Sequence, residues 1–210
     1  MRGRTPLAIA AAAMLSLAIP ASASAGISIL VDDDFFSPEV SPANAGNPVF
    51  WSSNGTTTNI HNVTQDKNLF DSGPASTSLS FQRTVSAGTF PYYCDQHGDK
   101  GGLGMSGKLK VKPVQLARKR QAGLVIGVQW GGADQTGDQF DVRYKGPGTD
   151  GKYKTWLRNT ELESGEFGTN NDPVRVKPDK TYSFQVRSES SITGKGSGFS
   201  PALKVETAAG

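Results

Sequence analysis

The chain has 210 residues, with one cysteine, two histidines and a formal net charge of +3. The single cysteine excludes an intramolecular disulfide framework. With 22 basic against 19 acidic residues, the chain lacks the dense basic surface that nucleic-acid binding requires.

The N-terminal segment has the pattern of a secretory signal peptide. Residues 1–4 include two arginines, residues 6–19 are mostly apolar, and residues 23–25 read Ala-Ser-Ala. We expect cleavage near Ala25, which removes both arginines and lowers the formal charge to +1, 20 basic against 19 acidic residues. The apolar run is shorter than the span of about 20 residues that crosses a membrane. The sequence therefore predicts a secreted or periplasmic protein without an integral membrane segment.

From residue 26 onward the sequence predicts an all-β protein. Short runs rich in Val, Ile, Phe, Thr and Tyr alternate with clusters of Gly, Pro, Asn and Asp, a pattern typical of sandwiches and barrels. The predicted strands of the first half are residues 27–31, 48–51, 77–85, 88–94 and 108–111.

The composition changes near Lys112, where we predict a domain boundary. Residues 26–112 form the first predicted domain, residues 113–121 a linker with a first edge strand at 114–118, and residues 122–210 the second domain. Further strands are predicted at 125–130, 139–145, 153–157, 173–177, 181–187 and 202–205. With the edge strand they make seven, the number in a fibronectin- or immunoglobulin-type sandwich.

Four side chains in the first domain suggest a metal site. Cys94 ends a predicted strand, His97 and Met105 follow it on a predicted loop, and His61 comes from a distant hairpin. A thiolate, two imidazoles and a thioether form the ligand set of a trigonal copper site with a weak axial sulfur. A lone thiol in an oxidising compartment is buried, reactive or bound to a metal.

At these residues the first domain resembles the plastocyanin-like blue copper proteins, or cupredoxins, over about residues 27–112. The segments that carry the resemblance are Phe-Ser-Pro at 36–38, Gly-Asn-Pro-Val-Phe-Trp at 46–51, His-Asn-Val-Thr at 61–64, Gly-Thr-Phe-Pro-Tyr-Tyr-Cys-Asp-Gln-His at 88–97 and Gly-Met-Ser-Gly-Lys-Leu-Lys-Val at 104–111.

This resemblance implies a Greek-key β-sandwich or barrel that binds one type 1 copper ion. His61, Cys94 and His97 would be the strong ligands and Met105 the axial ligand. Asn62 would connect the two ligand segments by hydrogen bonds near the cysteine sulfur and so orient the ligands. Seven residues separate His97 from Met105, more than the family pattern usually has, so we expect a longer or weaker axial contact.

The second domain resembles a fibronectin type III domain. The matching segments are residues 124–130, 140–145 and 176–187. Tyr182 would be the corner tyrosine, bonded back to the preceding turn, and Tyr182, Phe184 and Val186 should face the core with Trp130. We expect this domain to space, dock or anchor the first.

These patterns favour a single-electron carrier that is not an enzyme. Electrons would pass through His97, with Tyr92 and Tyr93 near the cysteine path, and a redox protein would dock around His97 and Leu103. Two alternatives stay open: copper storage or delivery without redox turnover, and adhesion to a protein or surface through the second domain. Multicopper oxidases and copper nitrite reductases need further histidines, which this chain lacks.

Overall fold

The computed structural model describes residues 26–116, 124–132 and 137–209. These residues contain fifteen strands and no helix, which confirms the all-β prediction. The strands are β1 Ile27–Asp32, β2 Phe35–Ser37, β3 Val40–Asn44, β4 Pro48–Ser53, β5 Thr64–Gln65, β6 Ser80–Thr84, β7 Gly88–Asp99, β8 Leu103–Lys112, β9 Val114–Leu116, β10 Ile126–Gln129, β11 Gln139–Lys145, β12 Lys154–Thr160, β13 Ser164–Phe167, β14 Thr181–Glu189 and β15 Leu203–Glu206. Within the described ranges no helix is long and apolar enough to cross a membrane.

Strands β1 to β8 form two sheets, with the orders β2-β1-β4-β6 and β3-β8-β7-β5. Apolar residues alternate with exposed ones along β4 and β8, so each sheet has one buried face. The side chains of the two buried faces belong to one core. Trp51 lies at its centre, fully buried, and contacts the rings of Phe70, Phe81 and Tyr92. We call this set of strands the N-terminal unit.

Strands β9 to β15 form a three-stranded sheet, β13-β10-β9, and a four-stranded sheet, β12-β11-β14-β15. We call them the C-terminal unit. Tyr182, Phe184, Val186 and Trp130 are all buried, as predicted. The hydroxyl of Tyr182 accepts a hydrogen bond of 2.9 Å from the backbone N–H of Lys177.

The structure corrects one predicted strand in this unit. Residues 173–177 form no strand, although Val176 is buried. The ladder position beside β10 is taken by β13, which pairs from Ser164 to Phe167. The prediction was wrong because a buried valine produces the same sequence pattern whether its backbone pairs in a strand or lies in a loop.

Some predictions concern residues outside the described ranges. The predicted signal peptide, residues 1–25, and residues 117–121 of the predicted linker are among them. The described part of the linker forms β9, which is an edge strand beside β10 as expected.

The two units contact each other at the beginning of β7. The backbone N–H and C=O of Thr89 pair with those of Gly198 at 2.9 Å, and the Thr89 hydroxyl donates to the Phe199 carbonyl at 2.8 Å. The buried Ser188 hydroxyl donates to the Ala87 carbonyl at 2.9 Å. These bonds hold the start of β7 against the C-terminal unit.

Candidate metal centre

The candidate metal centre consists of His61, Cys94 and His97, and Cys94 lies on β7. Phe90, Tyr92 and Cys94 alternate along this strand and point into the core of the N-terminal unit, and Cys94 is fully buried. The pairing of β7 with β8 shifts register between Tyr93 and Gly98. This irregularity lies where the chain turns from Cys94 to His97.

His61 reaches the centre from an isolated two-residue bridge. Its backbone exchanges hydrogen bonds of 3.0 and 2.9 Å with Ser76, and its side chain is fully buried. The fixed backbone determines the position of the imidazole. His97, in contrast, is partly exposed.

The three donor atoms of His61, Cys94 and His97 converge. The Cys94 Sγ lies 3.8 Å from His61 Nδ1 and 3.7 Å from His97 Nδ1, and the two Nδ1 atoms are 3.2 Å apart. Among the described residues these three form a group able to hold a metal ion. A thiolate and two imidazole nitrogens are ligands for copper and zinc alike.

The separations allow one ion to contact all three donors. Such an ion lies about 2.0–2.1 Å from imidazole nitrogen and about 2.3 Å from thiolate sulfur. Two such bonds together are longer than the separations of 3.2 to 3.8 Å, so a single ion can reach the sulfur and both Nδ1 atoms. The three donors are compatible with copper and with zinc.

Met105 lies in β8 and not on a loop as predicted, and His97 likewise lies within β7. The residues between them continue the two strands as a hairpin, in which Gly98 pairs with Gly104 and Asp99 with Leu103. The Met105 side chain is buried in the same core cluster as Cys94. The extra length after His97 is therefore taken up by strand pairing.

Two glycines make this hairpin possible, and we call the pair Gly98 and Gly104 the hairpin neck. Gly104 has φ +60°, and a Cβ on it would overlap the carbonyl oxygen of His97. A Cβ on Gly98 would overlap the carbonyl oxygen of Met105. The neck thus brings the backbones that carry His97 and Met105 into close contact.

Asn62 connects the two ligand segments. Its side-chain nitrogen donates to Asp95 Oδ2 at 2.8 Å, and its side-chain oxygen accepts from the Asp95 backbone N–H at 2.8 Å. Asp95 directly follows Cys94, and Asn62 directly follows His61. These two hydrogen bonds hold the segment that carries Cys94 next to the segment that carries His61.

Asp33 also contacts the centre, although no sequence pattern had indicated this residue. Its Oδ1 lies 3.2 Å from His61 Nε2. The side-chain hydroxyl of Thr58, then the backbone N–H groups of Asn59 and Thr58, hold the pKa of Asp33 well below its usual range. Asp33 is one of three consecutive aspartates in a tight turn, a pattern that indicates only a loop.

The two tyrosines before Cys94 lie in different surroundings. Burial, together with the nearby Glu39 carboxylate, raises the pKa of Tyr92 to about 12, and its ring packs edge-on against Trp51. Tyr93 points to the opposite side of β7, where burial and the neighbouring carboxylates, led by Asp95, raise its pKa. Both phenols therefore stay neutral at physiological pH.

The surface near His97 carries exposed apolar side chains. Leu103, 63% exposed, pairs with Asp99 two residues beyond His97. Ile60, which is 47% exposed, precedes His61. Each of the two histidine segments thus carries an exposed apolar side chain close in sequence or in strand pairing to its histidine.

Comparisons with known proteins give a partial likeness. No family model matches the chain, and no curated protein matches it. Solved structures that align with it include an oxidised methionine-to-leucine variant of amicyanin, at 19% identity, 41% of this chain, 81% of that chain and a TM-score of 0.34. A reduced tryptophan-to-tyrosine variant of amicyanin aligns at 19% identity over 43% of this chain and 84% of that chain, with a TM-score of 0.34.

Proposed function

We propose that this chain is an exported electron carrier that binds one type 1 copper ion and exchanges single electrons with redox proteins. His61, Cys94 and His97 would be the strong ligands and Met105 the axial one. The observation that carries the proposal is the convergence of the Cys94 sulfur and the two imidazole Nδ1 atoms, which lie 3.2 to 3.8 Å apart. The motif resemblance of residues 27–112 to the plastocyanin-like proteins agrees with it.

The surroundings favour electron transfer over catalysis. Bound copper would supply a Cu(II)/Cu(I) couple. His61 and Cys94 are fully buried, so water and substrate do not reach these two side chains. The strand that carries Cys94 and the bridge that carries His61 restrict their movement. His97 alone among the strong donors is partly exposed, which makes its imidazole edge the proposed route to a partner. Leu103 and Ile60 would supply the apolar contact with that partner.

We further propose that residues 26–112 are a cupredoxin domain and residues 122–210 a fibronectin type III-like domain, joined by residues 113–121. The division of strands into a three-stranded and a four-stranded sheet supports the second assignment. The Tyr182 hydroxyl bonded back to Lys177 is the expected corner contact. This domain would position or anchor the copper domain outside the cytoplasm.

The experiment that tests the proposal is addition of Cu(II) to the purified protein, followed by visible absorption and electron paramagnetic resonance spectroscopy. We expect an intense thiolate-to-copper band and a narrow hyperfine splitting. The matched control is Cys94→Ser, which should keep the fold and lose the band. Bound copper without the band in the wild type would contradict the type 1 assignment.

A second measurement separates electron transfer from storage. The copper should stay bound through repeated oxidation and reduction in the presence of a chelator. Loss of the metal on each reduction would instead support a storage or delivery protein.

A further inference from the structure

The carboxylate of Asp33 collects hydrogen bonds from one short segment of the chain. Its Oδ1 faces the Asn59 N–H at 3.0 Å and His61 Nε2 at 3.2 Å. Its Oδ2 accepts from the Thr58 hydroxyl at 2.7 Å. Asp33 thus anchors the residues that lead into His61.

The contact with His61 determines which ring nitrogen carries the proton. An ionised carboxylate has no hydrogen to donate, so His61 Nε2 must be the donor in this bond. The other nitrogen, Nδ1, then keeps its lone pair and faces Cys94 Sγ and His97 Nδ1. Because the His61 ring is fully buried, Asp33 also satisfies an N–H that water cannot reach.

We propose that Asp33 is a positioning residue that holds His61 as the Nε2–H tautomer and strengthens it as a donor to Cu(II), thereby lowering the reduction potential. The inference rests on the copper site proposed above. A carboxylate that accepts the second N–H of a ligating imidazole raises the basicity of the ligand. The extra electron density stabilises the more highly charged oxidation state, which is Cu(II).

The size of the effect follows from the exposure of Asp33. Loss of such a partner typically weakens metal binding about 10- to 100-fold. The Asp33 side chain is 32% exposed, so solvent screens part of its charge and the lower end applies. We expect loss of the charge to lower the Cu(II) affinity about tenfold and to leave the Cu(I) affinity unchanged, which is a rise of about 59 mV in potential for one electron.

Asp33→Asn tests the role of the charge. The amide oxygen can replace Oδ1, keeping the contact with His61 and accepting from the Thr58 backbone N–H, which loses its second acceptor at Oδ2. The amide nitrogen can donate to the Thr58 hydroxyl, so the bond to His61 is kept while the charge is lost. The matched control is Asp34→Asn, which removes the neighbouring exposed carboxylate. Asp34 has φ +69°, a conformation that asparagine tolerates well.

The measurements are the reduction potential, the Cu(II) dissociation constant and the nitrogen-15 NMR shifts of His61 in the full chain. A raised potential in D33N with an unchanged potential in D34N supports the proposal. Equal potentials in D33N and wild type, or equal changes of potential in D33N and D34N, overturn it.

The NMR measurement on the metal-free wild type needs no variant and therefore decides the case even where D33N does not fold. The expected result is the Nε2–H tautomer, and an Nδ1–H tautomer overturns the proposal. A wild type that forms no blue copper site would contradict the proposed function separately, because the tautomer is measured without metal.

Discussion

Substitution of Gly104 by alanine tests whether close approach at the hairpin neck shapes the metal centre. Gly104 has φ +60°, and alanine in this conformation is less stable by about 1–2 kcal/mol. The added Cβ would also overlap the carbonyl oxygen of His97 and approach the Gly98 Cα at 3.1 Å. Relief of such overpacking requires a backbone shift that costs about a further 1–3 kcal/mol. We expect a total loss of about 2–5 kcal/mol in unfolding free energy.

Gly101→Ala is the matched control for this substitution. Gly101 also has a positive φ, +84°, but no atom lies within 4 Å of the Cβ it would gain. It should lose only the conformational part, about 1–2 kcal/mol, and leave the visible spectrum of the copper-loaded protein unchanged.

The assay is denaturant unfolding of both variants, followed by absorption and electron paramagnetic resonance spectra with copper. G104A should be the less stable variant and should show a shifted thiolate-to-copper band, because the backbone of His97 must move. Equal stabilities and equal spectra for the two variants would refute the proposed tight neck.

Three further substitutions test individual hydrogen bonds. Asn62→Ala leaves the backbone N–H of Asp95 unpaired, so we expect a loss of about 1–3 kcal/mol in unfolding free energy and faster copper release to a chelator; an unchanged release rate would contradict the connecting role. Tyr182→Phe removes the acceptor for the Lys177 N–H and should destabilise the C-terminal unit by about 1–3 kcal/mol in denaturant unfolding, with the copper spectrum unaffected. Thr89→Val removes the hydroxyl bond between the units and should lower the unfolding free energy by about 1 kcal/mol, whereas a stability equal to wild type would show that this bond is replaced by water.

The sequence was sufficient to predict the long strands and the three converging donors. Alternation in residues 108–111 reappears as the buried and exposed residues of β8, and the aromatic run before Cys94 forms the buried part of β7. These segments were predictable because burial imposes a period of two on a strand.

Short edge strands were not predictable in the same way. β3 contains Pro42 and polar residues, yet it pairs in parallel with β8 at the edge of its sheet. Proline is tolerated at an edge because its missing N–H faces away from the ladder. β13 was missed for a related reason, since its residues Ser-Gly-Glu-Phe show no apolar alternation.

The role of Asp33 could not be predicted because it depends on a tertiary contact. The residues that donate to it lie 25 to 28 positions later in the chain. The sequence does not indicate which of the three consecutive aspartates contacts His61. The hairpin that carries His97 and Met105 was missed because its glycine-rich residues have the composition of an open loop.

The position of the junction between the two units explains how a second unit can be attached without blocking the proposed redox surface. The contacts lie at Ala87 and Thr89, where β7 begins, whereas Cys94 is five residues further along the strand than Thr89. At about 3.4 Å per residue this distance is roughly 17 Å. The C-terminal unit therefore holds the start of the strand that carries Cys94, and the partly exposed His97 at the other end stays accessible to a partner. Attachment at the end of β7 nearest His97 would have buried the proposed route for electrons.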